Sequence, residues 1–288
     1  MDMNNRTFWR ELPRARTGLI VLALSSLLLA GSIHAQVHAM NSPVLLSSAS
    51  APADQTQPKA DRIPRGTILP VVLRTSVSFE KCKAGQILRS KLAQDVPLPN
   101  GSKIRKGSLV EGRIVSVTPN SKGAGSQVTM QFDKLYDAGQ SVPVTTDLRA
   151  IAGFMAIQEA QTPEEAPNEG SPYNWLPTTQ IGGDSVYGVG GKVMSADDTS
   201  KVIGKSVGDG VLVPASVKEG TKCRGEMDGN GSLQAMWVFS SDACGTYGIE
   251  HLTITHSGST DPKGTIVLAS NVEKLSLRNG DALLLRVN

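Results

Sequence analysis

Aromatic residues are scarce in this chain, histidine is scarcer, and charge of one sign hardly accumulates. Phe, Tyr and Trp make up 4% of 288 residues. The core must therefore be built from Val, Leu and Ile. Of the four His, His251 and His256 lie five apart in what reads as one strand, so they face opposite sides of it. With no third ligand beside them, neither a zinc site nor a histidine-based triad is expected. The chain carries 29 basic and 26 acidic residues, a formal charge of +3. Four Arg and two acids precede residue 36, so the remainder holds 25 basic against 24 acidic side chains, a net of +1. A near-neutral surface gives no electrostatic reason to expect a nucleic-acid partner.

Long apolar runs are missing except near the N-terminus. Arg6, Arg10, Arg14 and Arg16 precede an apolar stretch, Gly18 to Leu29, which ends in the small residues around Ala30-Gly31-Ser32. This is the pattern of an export signal over 1–35 with a cut after Ala35, or a second after Ala39. No Cys follows Leu29-Ala30-Gly31, so a lipoprotein anchor is not expected. The competing reading is an uncleaved anchor, the one way in which this chain would meet a membrane; its run is shorter than the roughly 20 residues a spanning helix needs. Residues 36–61, rich in Ser, Ala, Pro and Gln, read as a disordered tether. Everything beyond Gln36 is then expected in the periplasm, at the outer membrane or outside the cell.

Glycine and proline are plentiful, 29 and 16, and favour short strands over long helices. Two copies of one turn device stand out, Ile63-Pro-Arg-Gly66-Thr67 and Ile104-Arg-Lys-Gly107-Ser108. Each asks Gly to take positive φ before a strand. Strands are predicted over Thr67–Leu73, Gln86–Val96, Leu109–Val117, Val128–Asp133 and Val142–Thr145. Pro70 would place the first at a sheet edge or on a bulge. The fold class is mainly β: a small antiparallel barrel or sandwich over 62–146, and a second β region over 212–288. Between them, residues 147–211 are read as a connecting region with one amphipathic helix.

The residues Ile63–Thr67, the apolar strand after them, Ala84-Gly85-Gln86, Asp95-Val96, Gly107-Ser108 and Gly112 resemble the TrbI-type barrel domain of conjugation and type IV secretion channel proteins. They also resemble exported envelope proteins of soil bacteria such as the Acidobacteria, which carry this module outside any secretion system and are similar at Cys223–Glu226, Trp237–Ser240 and Leu283–Val287. The resemblance implies a barrel over 62–146 in the cell envelope. It departs from the channel proteins in lacking their long apolar hairpin, which puts a pore in doubt and leaves a scaffold or binding role.

The expected helix covers Asp147–Gln161, capped by Thr146 or Asp147, with Leu148, Ile151, Ala152 and Met155 on its inner face. In the loop after Pro163, Glu164, Glu165 and Glu169 are ordinarily a solvated run rather than metal ligands. Tyr173 and Trp175 are the candidate ligand-binding residues, able to stack on a sugar or peptide, against the plainer role of covering a sheet edge. Gly182–Lys192 lacks the spacing of a phosphate loop, and Ser185 is not in a nucleophile elbow because Tyr187 stands where Gly is needed. Met227–Leu233 reads as a hairpin; Leu233 and Phe239 exclude an EF-hand. Further strands are predicted over Ala235–Phe239, Leu252–His256, Thr265–Ala269, Val272–Leu277 and Ala282–Val287.

In an oxidising compartment Cys223 and Cys244 are paired across the hairpin, leaving Cys82 as a buried thiol; pairing of Cys82 with either stays open on sequence alone. No catalytic residue, metal site or cofactor is expected. The function read from the sequence is an exported envelope scaffold or binder, acting on an unknown envelope component or on itself. A secretion-channel subunit and an enzyme on envelope glycan or peptide are the alternatives.

Overall fold

The structure, a computed structural model, describes residues 63–119, 125–164, 176–188, 190–214, 223, 232–256, 262–272 and 274–288. The signal and tether ranges lie outside these residues. In chain order the first half gives β1 (Ile68–Leu73), β2 (Val77–Ser78), β3 (Ile87–Leu92), β4 (Val96–Pro97), β5 (Lys103–Ile104), β6 (Leu109–Thr118), β7 (Ser126–Asp137), β8 (Gln140–Pro143), β9 (Thr146–Ala152) and helix α1 (Phe154–Gln161). The second half gives β10 (Pro177–Thr179), β11 (Ser185–Tyr187), β12 (Lys192–Met194), β13 (Val202–Val207), β14 (Gly210–Pro214), β15 (Leu233–Ala235), β16 (Gly245–Tyr247), β17 (Leu252–Ile254), β18 (Ile266–Ser270), β19 (Ser276–Leu277) and β20 (Ala282–Val287).

The protein is mainly β, and its sheets are sandwich-like rather than closed into a barrel. The larger sheet runs β16-β9-β20-β1-β3-β6-β7-β18-β17, with β8 paired to β7. All its pairs are antiparallel except β16 on β9. The path ends at β16 and β17, which are bridged by the Thr246 hydroxyl donating to the Leu252 carbonyl at 3.1 Å. The smaller sheet is a meander in the order β10-β11-β12-β13-β14-β15. Strands from beyond residue 212 therefore complete a sheet begun before residue 146.

Side-chain alternation explains the two cores. Leu88 and Leu92 of β3, and Val128, Met130 and Phe132 of β7, enter one core as their spacing predicts. The wall β9–β20–β1 is buried on both faces. Leu283, Leu285, Leu69 and Val71 point into the larger core, while Ala282, Leu284, Ile68 and Ala150 point into the smaller one against the second sheet. Such two-sided burial is why ALLLRV reads as an unbroken apolar run. Each fully buried leucine contributes about 1.5–3 kcal/mol. Gly66 and Gly107 take positive φ, 89° and 85°, as the two turn devices require.

Several sequence expectations are corrected. Residues 146–152 form β9, buried throughout, and the helix is only Phe154–Gln161. A helix would bury one side of this segment, whereas a wall between two cores needs both. Met155, expected to face inward, is 73% exposed, and Ile157 and Ala160 are the helix's buried residues. Neither Thr146 nor Asp147 caps α1; the Phe154 amide donates to the Asp281 carboxylate at 3.1 Å instead. β1 is not an edge strand, since it pairs with both β20 and β3. Pro70 is tolerated because its carbonyl, and hence its nitrogen, faces β3, and there the ladder has ended at Leu92 and only the Ala93 amide reaches across at 2.9 Å. Finally, the strand expected over 235–239 stops at Ala235, and His251, with φ 63°, sits in a turn ahead of β17 rather than within a strand.

Candidate binding groove

Trp237 is the least expected feature of the backbone. It follows β15 in a turn and has φ 52°, a left-handed value that costs a bulky residue about 1–3 kcal/mol. Two buried glutamines hold it there. Its amide donates to Gln94 Oε1 at 2.7 Å, and its carbonyl accepts from Gln180 Nε2 at 3.3 Å. Gln94 Nε2 donates to the Val211 carbonyl at 3.0 Å, and Gln180 Nε2 also donates to the Phe239 carbonyl at 2.8 Å. Both glutamines are at most 4% exposed. A third, Gln234, accepts from the Ile68 amide at 2.9 Å and ties β15 to β1. Gly210 completes the pedestal by having no side chain: a Cβ there would lie 2.7 Å from Trp237 Cα and from Gln94 Oε1.

The Trp237 side chain lines a groove of about 430 Å³, a size ordinary for a small-ligand site. Thr178 of β10, Gln180 after it, Ser206 of β13 and Asp209 of the β13–β14 turn line it, and Val186, Val211 and Val238 supply apolar surface. Lys106 lines one end and bonds Asp209 at 2.7 Å. Both are part-exposed, so this pair orders the rim more than it stabilises the fold. The Lys106 amide in turn donates to Asp95. That carboxyl is held below the usual carboxylate range, first by its bond to the Lys103 ammonium and then by this amide. Gln180 Nε2 faces two carbonyls, which fixes the amide orientation and leaves Oε1 without a donor among the described residues.

No protein-family model matches this chain, and no curated protein matches it either. What the groove does must be reasoned from its chemistry. Asp209 is the single acid among the described lining residues, and it is engaged by Lys106. Glycoside hydrolysis ordinarily uses two carboxylates. No group of three or more His, Cys, Asp or Glu able to hold a metal occurs among the described residues.

The residues singled out from sequence fare unevenly. Tyr173, Trp175, Glu165 and Glu169 lie outside the described residues, as does most of the Met227–Leu233 hairpin. Glu164 is a structural residue: its carboxylate accepts from the Thr179 hydroxyl at 2.6 Å, and its amide donates to the Pro177 carbonyl at 2.8 Å. Cys223 and Cys244 form a disulfide, with Cα atoms 5.5 Å apart. Cys82 is a free, buried thiol whose pKa is pushed up by that burial. Trp237 was legible only as one apolar residue in a run. Its left-handed turn depends on glutamines 143 and 57 residues away.

A second polar group is buried on the wall. Arg149 sits at the bulge opposite Leu284 and Leu285, its guanidinium 3.4 Å from the Ala243 carbonyl. Burial, and then repulsion from Arg286, lower its pKa to about 10. Arg286 pairs with Asp147 at 3.4 Å, and Asp147 also accepts from the Gly264 amide. These contacts join β9, β20 and neighbouring turns, which is a structural task.

Proposed function

We propose that this chain is an exported cell-envelope protein that acts as a non-enzymatic binding module through the Trp237 groove. The observation that carries the proposal is the Trp237 main chain, held at a left-handed position by Gln94 and Gln180 beside the groove it lines. Strain persists where the surrounding structure over-determines it, and such places cluster at functional sites. Export is supported by the basic and apolar N-terminal pattern, by the TrbI-type resemblance, and by the disulfide, which belongs to oxidising compartments. No helix among the described residues is long and apolar enough to cross a membrane, which accords with a peripheral role.

Two measurements test this. Fractionation of cells making the full chain should place it in the periplasm or envelope with its disulfide formed; retention in the cytoplasm with free thiols would sink the export half. Purified protein should sediment with isolated envelope fragments, and Trp237→Ala should not. Equal sedimentation of the two proteins would remove the groove from the account.

A further inference from the structure

We infer that the groove takes a saccharide, a short run of linked pyranose rings, with Trp237 as the stacking platform. This deepens the binding reading above and rests on it. Pyranoses present an apolar C–H face and an equatorial belt of hydroxyls. They are bound by an aromatic ring that is rigid before the ligand arrives, with small polar groups beside it. The groove has both. Trp237 is half-buried, packs against the smaller core and lines the cavity. Its main chain is pinned at both the amide and the carbonyl. Little conformational entropy is then lost on stacking.

The walls offer hydroxyl chemistry rather than charge. Thr178 and Ser206 line the groove together with Gly188, Gly208 and Gly210, which add no side chain to it. Gln180 lines the groove beside Trp237, its Nε2 committed to the Trp237 and Phe239 carbonyls. Lys106 and Asp209 at one end can each exchange part of their mutual bond for a hydroxyl or for an acidic substituent on a sugar.

A peptide is the competing occupant, and the geometry speaks against its usual mode. Extended peptides bind by adding a strand to a free sheet edge. The outer side of β10 is already used: the Pro177 carbonyl accepts from Glu164, and the Thr179 hydroxyl is bonded to the Glu164 carboxylate. At the far end of that sheet, the Gln234 side chain ties β15 to the Ile68 amide of β1.

The test uses the purified full chain and calorimetric titration with β-1,4-linked tetrasaccharides of glucose and of N-acetylglucosamine. A flexible Gly/Ser/Thr hexapeptide serves as the peptide probe. At least one tetrasaccharide is expected to bind. Trp237→Ala should weaken that binding about 10- to 100-fold, and Trp237→Phe should retain most of it. Trp237→Gly removes the indole while relieving the left-handed backbone, so loss of binding with an unchanged unfolding midpoint cannot be ascribed to misfolding. Saccharide binding that survives both Trp237→Ala and Trp237→Gly overturns the assignment. Trp237-dependent binding of the hexapeptide alone overturns the saccharide class and leaves the groove reading standing. Binding of neither tetrasaccharide at millimolar concentration also overturns the saccharide class; the groove reading falls with it only if envelope sedimentation is equally blind to Trp237→Ala.

Discussion

Replacing Gln94 by Leu isolates the pedestal under Trp237. The side chain is 1% exposed, and its amide makes two bonds, one from the Trp237 amide and one to the Val211 carbonyl. Leu has similar bulk and keeps the site filled, so little of the effect is cavity. The Val211 carbonyl retains the Met236 amide as a partner at 3.0 Å, and losing one of its two donors costs about 0.5–1 kcal/mol. The Trp237 amide has no other bond among the described residues, and leaving it unmet costs about 1–3 kcal/mol. Leu's more favourable burial offsets about 1 kcal/mol. The net is about 2 kcal/mol, which in urea, with a slope of roughly 2 kcal/mol per molar, lowers the unfolding midpoint by about 1 M. Indole fluorescence should report a second change before unfolding, because Trp237 is then free to leave its left-handed conformation. Trp9→Phe and Trp175→Phe in the same background remove the other indole signals. A Gln94→Leu protein with wild-type midpoint and wild-type indole emission would refute the idea that this glutamine holds the turn.

Three further outcomes are expected. Reducing the Cys223–Cys244 disulfide, whose ends are 21 residues apart, should lower stability by about 3 kcal/mol on chain-entropy grounds, read from denaturant unfolding with and without reductant. Leu284→Ala, at a fully buried position facing the smaller core, should cost about 2–5 kcal/mol; a cost below 1 kcal/mol would mean that the second sheet does not pack on this face as described. The Asp281 carboxyl is pushed up by burial, although its bonds from the Arg278 and Phe154 amides pull it down. A raised carboxyl binds its proton more tightly folded than unfolded, so its contribution to stability rises as pH falls through the raised value towards about 3.9 and is lost as pH rises again. The stability of the wild type relative to Asp281→Asn should therefore grow on acidification across that window, and a difference that shrinks would contradict the burial assigned to Asp281.

What the sequence made legible was local. Gly66 and Gly107 are read correctly because a tight turn ahead of a strand is a three-residue matter. The alternation of β3 and β7 is read correctly because one buried face leaves a period of two, although the strand expected to reach Val96 ends at Leu92. Legibility failed where a residue's environment comes from far along the chain. Leu148, Ile151 and Met155 fit a helical stripe, yet the first two lie in a strand because β20 needs a partner there. Pro70 signals an edge until one sees that β3 peels away beside it. In the groove, Trp237 carried no local mark at all. A left-handed tryptophan is a compromise enforced by Gln94 and Gln180, neither of which is near it in sequence. The Cys223–Cys244 pair was legible because chemistry and compartment limit the choices for three cysteines.

The position of β20 has a consequence for how the chain is made. It is synthesised after every other described strand, yet it lies between β1 and β9, near the middle of the wall. Until Val287 has left the ribosome, the nascent chain lacks that partner. β1 and β9 would then be apolar ribbons with open edges, a condition that favours wrong pairings and association with other chains. Pairings such as Ile68 with Arg286 span most of the sequence, and non-local topologies of this kind fold on the slow side, in milliseconds to seconds. The order in which the strands appear thus holds back partial folding, and disrupting Ala282–Val287 would separate β1 from β9.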